Sequence, residues 1–151
     1  MILSNTMAHT FVKDVMITNI ASLDSDSMIK DAAKLMDERN IGCIIVKKQN
    51  SPIGILTERD FVRRIASKEK PLTSPLEEVM SSPLISIGPD ETVWEAAESM
   101  KVNNIHKLPV IEDNEIMGII TTSDLVEICS VGSDSEMRKI CDQILMRMQK
   151  E

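Results

Sequence analysis

A chain of 151 residues has room for one ordinary domain or two very small ones, and with 42% of its residues apolar and 27% charged it has the composition of a folded globular protein, which excludes collagen-like, mucin-like and disordered readings. Lys plus Arg minus Asp plus Glu is 17 − 24 = −7, so nucleic-acid phosphate is repelled unless a local basic stripe intervenes. Two Phe, one Trp and no Tyr leave few stacking surfaces for single-stranded nucleic acid, and eleven Met give an adaptable aliphatic core.

In chain order, residues 1–10 lack a basic start followed by an apolar stretch, so no export signal is expected. Asp14-Val-Met16 leads into a short strand at 20–23 and a turn at Asp26. A helix follows, its apolar positions Met28, Ile29, Ala32, Ala33 and Met36 recurring at helical spacing. Strands at 41–46 and 53–56 meet across Asn50-Ser51-Pro52, and a helix over about 58–67 closes the series. The polar stretch 68–75, with two prolines, reads as a linker. The series then returns: Glu78-Val-Met80, a strand at 84–87, a turn at Pro89-Asp90, and a helix with Thr92, Val93, Ala96, Ala97 and Met100 on one stripe. A capping box, Thr92-x-x-Glu95, opens that helix. Strands at 107–111 and 116–120 turn at Asp113-Asn114-Glu115, and a helix covers 122–129. Residues 133–151 read as an extra helix with Met137, Ile140, Cys141, Ile144, Leu145 and Met148 on one face.

A shift of 64 residues aligns 15–62 with 79–126 without a gap, and 16 of those 48 positions are identical, among them Met16/Met80, Asn40/Asn104, Gly54/Gly118, Thr57/Thr121 and Asp60/Asp124. That is an internal duplication. The expected fold class is α/β (α+β): two β-α-β-β-α repeats at 8–70 and 71–130, followed by the helix at 133–151. A unit of only about 60 residues buries too little surface to be secure alone, so the two copies are expected to pack their sheets about a pseudo-twofold axis, leaving two related clefts.

In each Gly-x-x-Thr-x-x-Asp the strand ends at Thr57 or Thr121 and a helix starts at once, so its free N–H groups suit a phosphate. Asp60 and Asp124, one turn further on, suit the two hydroxyls of a ribose. The same pattern also matches a plain capping box, a role compatible with ligand binding for Thr and in competition with it for Asp. Arg63 and Arg64 read as a solvated helix face. Cys43, Cys129 and Cys141 are an odd number without Cys-x-x-Cys or Cys-plus-His spacing, and read as reduced thiols filling the core of a cytoplasmic protein. The apolar runs at 41–46 and 116–120 are far short of the ~20 residues a membrane helix needs. His9 and His106 offer no ligand spacing, phosphate-loop, nucleophile-elbow and zinc-helix motifs are missing, and paired acids such as Glu77-Glu78 read as solvated charge, so neither catalysis nor a metal site is expected.

Val12-Lys-Asp-Val-Met16, Leu76-Glu-Glu-Val-Met80, Gly54-Ile-Leu-Thr-Glu-Arg-Asp60, Asn104-Ile-His-Lys-Leu-Pro-Val110 and Gly118-Ile-Ile-Thr-Thr-Ser-Asp124 together resemble a tandem pair of cystathionine-β-synthase (CBS) domains over roughly residues 8–130. The resemblance implies a stand-alone regulatory module that binds an adenosyl ligand (AMP, ADP, ATP or S-adenosylmethionine) in clefts between the repeats, needs no other cofactor, and signals to a separate protein partner. It places Thr18, Asn19, Ile20, Ile41 and Gly42 opposite Thr121 and Asp124, and Ser82, Pro83, Leu84, Ile105 and His106 opposite Thr57 and Asp60. Ile55 and Ile119, inside the Gly-x-x-Thr motifs, join these sets. Arg59, with His106 or Lys107, would then make the Asp60 site the better phosphate site. The resemblance also implies a homodimer through the closing helices, which carry Phe61, Val62 and Ile65 in one copy and Leu125, Val126, Ile128 and Cys129 in the other. Competing readings are an interaction module with empty clefts and a nucleic-acid binder.

Overall fold

The computed structural model describes residues 10–129 together with Arg138, Lys139, Cys141, Asp142 and Met146, these last five in helical conformation. The rest of the helix expected at 133–151 lies outside the described residues. The elements are α1 (Val12–Val15), β1 (Ser22–Asp24), α2 (Ile29–Arg39), β2 (Cys43–Lys48), β3 (Ser51–Thr57), α3 (Glu58–Asp60, continued by a π-helical stretch Phe61–Ala66), a 3-10 turn at Leu76–Glu78, α4 (Val93–Asn103), β4 (Lys107–Glu112), β5 (Glu115–Thr121) and α5 (Thr122–Cys129). The chain divides into two compact units, one of Asn19–Ile85 and one of Met1–Thr18 with Ser86–Glu151.

In the unit Asn19–Ile85, β1 runs parallel to β2 and β2 antiparallel to β3. Ile29, Ala32 and Met36 form the buried stripe of α2, packed with Ile44, Val46, Leu56, Ile65, Leu76 and Val79 into one core. Helix α2 ends at Asn40, which takes the left-handed conformation (φ 52, ψ 49) so that its N–H reaches the carbonyls of Asp37 and Met36; Asn tolerates that region better than most residues. The hairpin turns on Gln49 and Asn50, at φ 50 and 66, as a two-residue turn with both central residues at positive φ requires. It therefore lies one residue earlier than the expected Asn50-Ser51-Pro52. Pro52 belongs to β3, opposite Lys47 at the register shift between Val46 and Lys47, where a missing N–H is tolerated.

The other unit repeats this plan. Helix α4 carries buried Val93, Ala96, Ala97 and Met100, opens on the expected Thr92 cap, whose hydroxyl accepts the Glu95 amide at 3.2 Å, and ends at left-handed Asn104 (φ 54). Strands β4 and β5 pair antiparallel, with a register shift between Val110 and Ile111, and turn at Asp113 and Asn114, again at φ 50 and 66. The strand expected at 84–87 contracts to a single parallel bridge, Ile87 with Val110.

The Val-Met segment that opens each repeat in sequence lies in the unit formed by the body of the other copy. Val12 and Lys13 donate to the Glu91 and Pro89 carbonyls (2.8 and 3.1 Å), and Ile17 exchanges both backbone bonds with Ile119 (2.8 and 2.9 Å). In the other unit Leu76 and Glu77 donate to Ser27 and Ser25 (2.9 and 3.0 Å), and Ser81 exchanges both bonds with Ile55 (2.8 and 3.1 Å). The two glycines permit this docking: a Cβ on Gly54 would stand 2.9 Å from the Ser81 carbonyl oxygen, and one on Gly118 2.8 Å from that of Ile17.

One expectation about the cysteines is corrected. Cys129, at the end of α5, and Cys141 form a disulfide with a Cα–Cα distance of 6.6 Å. A pair made by the chain's return across twelve residues leaves no local spacing motif to read. Cys43 is a buried thiol in β2, as expected.

Candidate functional site

The Thr-x-x-Asp motifs sit where β3 runs into α3 and β5 into α5. Thr57 keeps extended backbone (φ −118, ψ 168) at the helix start, and Asp60, one turn in, folds its carboxylate back: Oδ2 accepts the Thr57 amide at 2.9 Å and the Thr57 hydroxyl at 3.3 Å. In the other unit Asp124 Oδ2 accepts the Thr121 amide at 2.8 Å and hydroxyl at 2.9 Å, while the Thr121 hydroxyl accepts the Asp124 amide at 3.3 Å. The capping geometry is thus present at both sites.

Strand register decides which further residues join each cradle. The Glu58 amide donates to the Gly42 carbonyl (3.3 Å) and the Thr122 amide to the His106 carbonyl (3.0 Å). Cys43 is paired with Thr57, and Lys107 with Thr121. Directly opposed residues in an antiparallel ladder project to one face, so Lys107 shares a face with Thr121.

Of the residues singled out from sequence, Asn19, Ile20, Ile41, Gly42, Ile55, Thr57, Arg59, Asp60, Ser82, Pro83 and Leu84 belong to the unit Asn19–Ile85, and Thr18, Ile105, His106, Lys107, Ile119, Thr121 and Asp124 to the other. The contacts within units gather Gly42 with Thr57, and His106 and Lys107 with Thr121. Lys107 thus stands beside the Asp124 cradle, while the cations of the Asp60 cradle come from its own helix, Arg59 and Arg64.

Two participants escaped sequence reading. Ser81 donates its hydroxyl to Asp60, 3.1 Å from Oδ1 and 3.3 Å from Oδ2. Arg64, read as solvated helix surface, places Nε 3.2 Å from Asp60 Oδ1 and donates from Nη1 to the Met80 carbonyl at 3.2 Å. The i,i+4 spacing of Asp60 and Arg64 was the available signal for the second; Ser81, 21 residues from Asp60, has none.

A separate concavity of about 450 Å³, lined by residues including Asp24, Asp26, Asn50 and Glu77, holds none of the candidate residues. Among the described residues no group of three or more His, Cys, Asp or Glu side chains could hold a metal ion, and no helix is long and apolar enough to cross a membrane.

The CBS domain matches the chain twice, over residues 12–67 and 76–130. A CBS domain-containing protein of Bacillus subtilis, YhcV, is 35% identical over 114 residues, 76% of this chain and 81% of that protein. A homoserine O-acetyltransferase of Methanohalobium evestigatum is 34% identical over 126 residues, 82% of this chain, but only 25% of that enzyme is covered. Among solved structures, a CBS domain protein of Thermoplasma acidophilum superposes with a TM-score of 0.78 at 25% identity, covering 94% of this chain and 78% of that one. The CBS domain pair of protein MJ0100, solved with 5′-methylthioadenosine and S-adenosyl-L-methionine, gives 0.72 at 28% identity, covering 80% and 96%.

Proposed function

This chain belongs to the CBS-domain family, and from that membership we propose that it is a regulatory module which binds an adenosyl ligand, AMP, ADP or ATP, and passes its occupancy on to a separate protein partner. The observation that carries the reading is the cradle built twice from one motif: an extended Thr at the end of a strand, a helix starting at once, and a carboxylate one turn in. Such a carboxylate accepts charge-assisted hydrogen bonds from ribose hydroxyls, and the amides at the helix start accommodate a phosphate. Support comes from the similar pair solved with two adenosyl compounds. Lys107, on the Thr121 face, favours a ligand that adds a phosphate to the nucleoside, and Ile41, Ile55, Ile105 and Ile119 supply apolar surface for an adenine.

The module works by binding and not by chemistry. A ligand shifts an equilibrium only by its differential affinity for the two states; a coupling of about 1–3 kcal/mol changes partner affinity ~5–150-fold. We further propose that it is a homodimer. Val62 on the closing helix of the first repeat is 66% exposed, an aliphatic side chain left in water in the single chain; a monomeric mass in light scattering at micromolar concentration would count against the dimer. The deciding experiment is denaturation with and without AMP, ADP, ATP and S-adenosylmethionine. A ligand that binds only the folded state at 100 times its dissociation constant adds ~2.7 kcal/mol. Unfolding curves that no adenosyl compound moves at millimolar concentration would overturn the reading.

A further inference from the structure

The duplication supplies an internal control, since one motif stands in two surroundings. Asp60 is 4% exposed. Its Oδ1 faces the Ser81 hydroxyl at 3.1 Å and Arg64 Nε at 3.2 Å, and its Oδ2 takes the Thr57 amide at 2.9 Å and the Thr57 and Ser81 hydroxyls at 3.3 Å each. A carboxylate has about four lone-pair sites, so its acceptor capacity is filled by the chain itself. At the positions 64 residues away the duplicate has Ile128 for Arg64 and Ile17 for Ser81, neither with a side-chain donor. Asp124 is accordingly only half-buried, and both of its acceptor contacts, from the Thr121 amide and hydroxyl, fall on Oδ2. Among the described residues its Oδ1 accepts no hydrogen bond.

We propose that Arg64 and Ser81 close the first cradle, making Asp60 an internal clamp between α3 and the Met80–Ser81 segment, and that the chain takes one adenosyl ligand, at Asp124. This rests on the adenosyl-binding reading above. A ribose brings two hydroxyl donors. At Asp60 they would have to displace the Ser81 hydroxyl and the Arg64 guanidinium, exchanging charge-assisted bonds already made for bonds no stronger and leaving displaced donors to be resolvated. At Asp124 a hydroxyl reaches an open oxygen and displaces nothing. Lys107 stands opposite Thr121 and makes no ion pair among the described residues, so a phosphate carried by a ligand at Asp124 meets a cation there. Arg64 and Ser81 thus determine which of two identical motifs is a site.

The test is equilibrium dialysis of the full chain against radiolabelled AMP, ATP, S-adenosylmethionine and 5′-methylthioadenosine. The tightest binder should saturate at one molecule per chain. Asp124→Asn should weaken it at least tenfold, and replacing Arg64 and Ser81 together by Ile, as in the duplicate, should raise saturation from one to two. Circular dichroism checks that each variant is folded; should the double variant fail to fold, wild-type stoichiometry and Asp124→Asn still decide. Two molecules per wild-type chain, or one whose affinity Asp124→Asn leaves unchanged, would overturn the inference while the adenosyl reading stands. A folded double variant that still saturates at one would remove Arg64 and Ser81 from the explanation. If no probe binds the wild type at millimolar concentration, it is the adenosyl reading itself that fails.

Discussion

Gly54 is the most exacting position for the docking of the Met80–Ser81 segment, and Gly54→Ala measures it. The added Cβ would lie 2.6 Å from Met80 Sδ and 2.9 Å from the Ser81 carbonyl oxygen, both closer than real Cβ atoms come. The thioether can swing aside. The carbonyl cannot, because it accepts the Ile55 amide at 3.1 Å while the Ser81 amide donates back to Ile55 at 2.8 Å. Relief requires the segment to lift off β3, stretching both bonds, each worth ~0.5–1.5 kcal/mol. Overpacking of this kind costs ~1–3 kcal/mol where the backbone must shift. The contributions overlap, since the shift that relieves the clash is the one that stretches the bonds, so the expected loss is roughly 2–4 kcal/mol. Gly88→Ala is the control: its Cβ would meet only Glu91 Oε2 at 3.3 Å, a side-chain oxygen that can give by a few tenths of an ångström while still accepting the Gly88 amide at 2.6 Å, and its φ is not positive. Removing that glycine should be neutral or stabilise by ~0.4–1 kcal/mol through the unfolded chain. Urea unfolding of the three proteins followed by circular dichroism gives both numbers. A loss below ~0.5 kcal/mol for Gly54→Ala would mean that the close approach does not hold the segment and that the docking argument is wrong.

The clamp at Asp60 predicts an asymmetry between the two aspartates. Asp60→Asn should cost roughly 2–4 kcal/mol, with Arg64 half in solvent moderating the loss of a buried carboxylate, against ~0.5–2 kcal/mol for the cap at Asp124; equal losses in chemical denaturation would contradict it. Reducing the Cys129–Cys141 disulfide, which closes a short loop, should cost ~2–3 kcal/mol, and Cys141→Ser should match that loss and become insensitive to reductant; a melting temperature that reductant leaves unchanged would sink the idea. Lys13 donates to Asp90 at 2.9 Å, and that hydrogen bond and the carboxylate charge raise its ammonium above the ordinary 10.5. Because the raised value belongs to the folded state, the pair's stabilisation is fully present below the ordinary lysine pKa and fades as pH rises through the folded value. The difference in unfolding midpoint between wild type and Lys13→Met should therefore be flat from about pH 7 to 10 and shrink above, and a difference that grew with pH would refute the assignment.

Much of the fold was legible because the duplication marks positions under backbone constraint. Asn40 and Asn104 close helices in the left-handed region, Asn50 and Asn114 turn hairpins at φ 66, and Gly54 and Gly118 admit a neighbouring backbone. Each is a local demand that few residue types meet, so it survives in both copies and shows in one sequence. Pro52 misled for the same reason that it is informative: it signals a break in the ladder, and the break is a register shift one step beyond the turn. What stayed hidden depends on contacts between distant residues. Nothing local in the stretch from Val12 to Ile17 says that Val12 docks against Glu91 and Ile17 against Ile119, and nothing local near Cys129 names Cys141.

The two cradles show why identity between repeats is a weaker guide to function than it looks. Thr57 and Asp60 match Thr121 and Asp124 residue for residue, and both aspartates fold back onto their threonine amides within 0.1 Å of the same distance. The difference lies in residues that do not match. Ser81 stands where the duplicate has Ile17 and Arg64 where it has Ile128, and those two substitutions fill one carboxylate and leave the other with an open oxygen. A motif specifies its own backbone geometry because that geometry is set within four residues. Whether its carboxylate is a clamp or a ligand site is set by whatever side chains the fold brings against it, and in this chain those come from one helical turn downstream and from a segment 21 residues away.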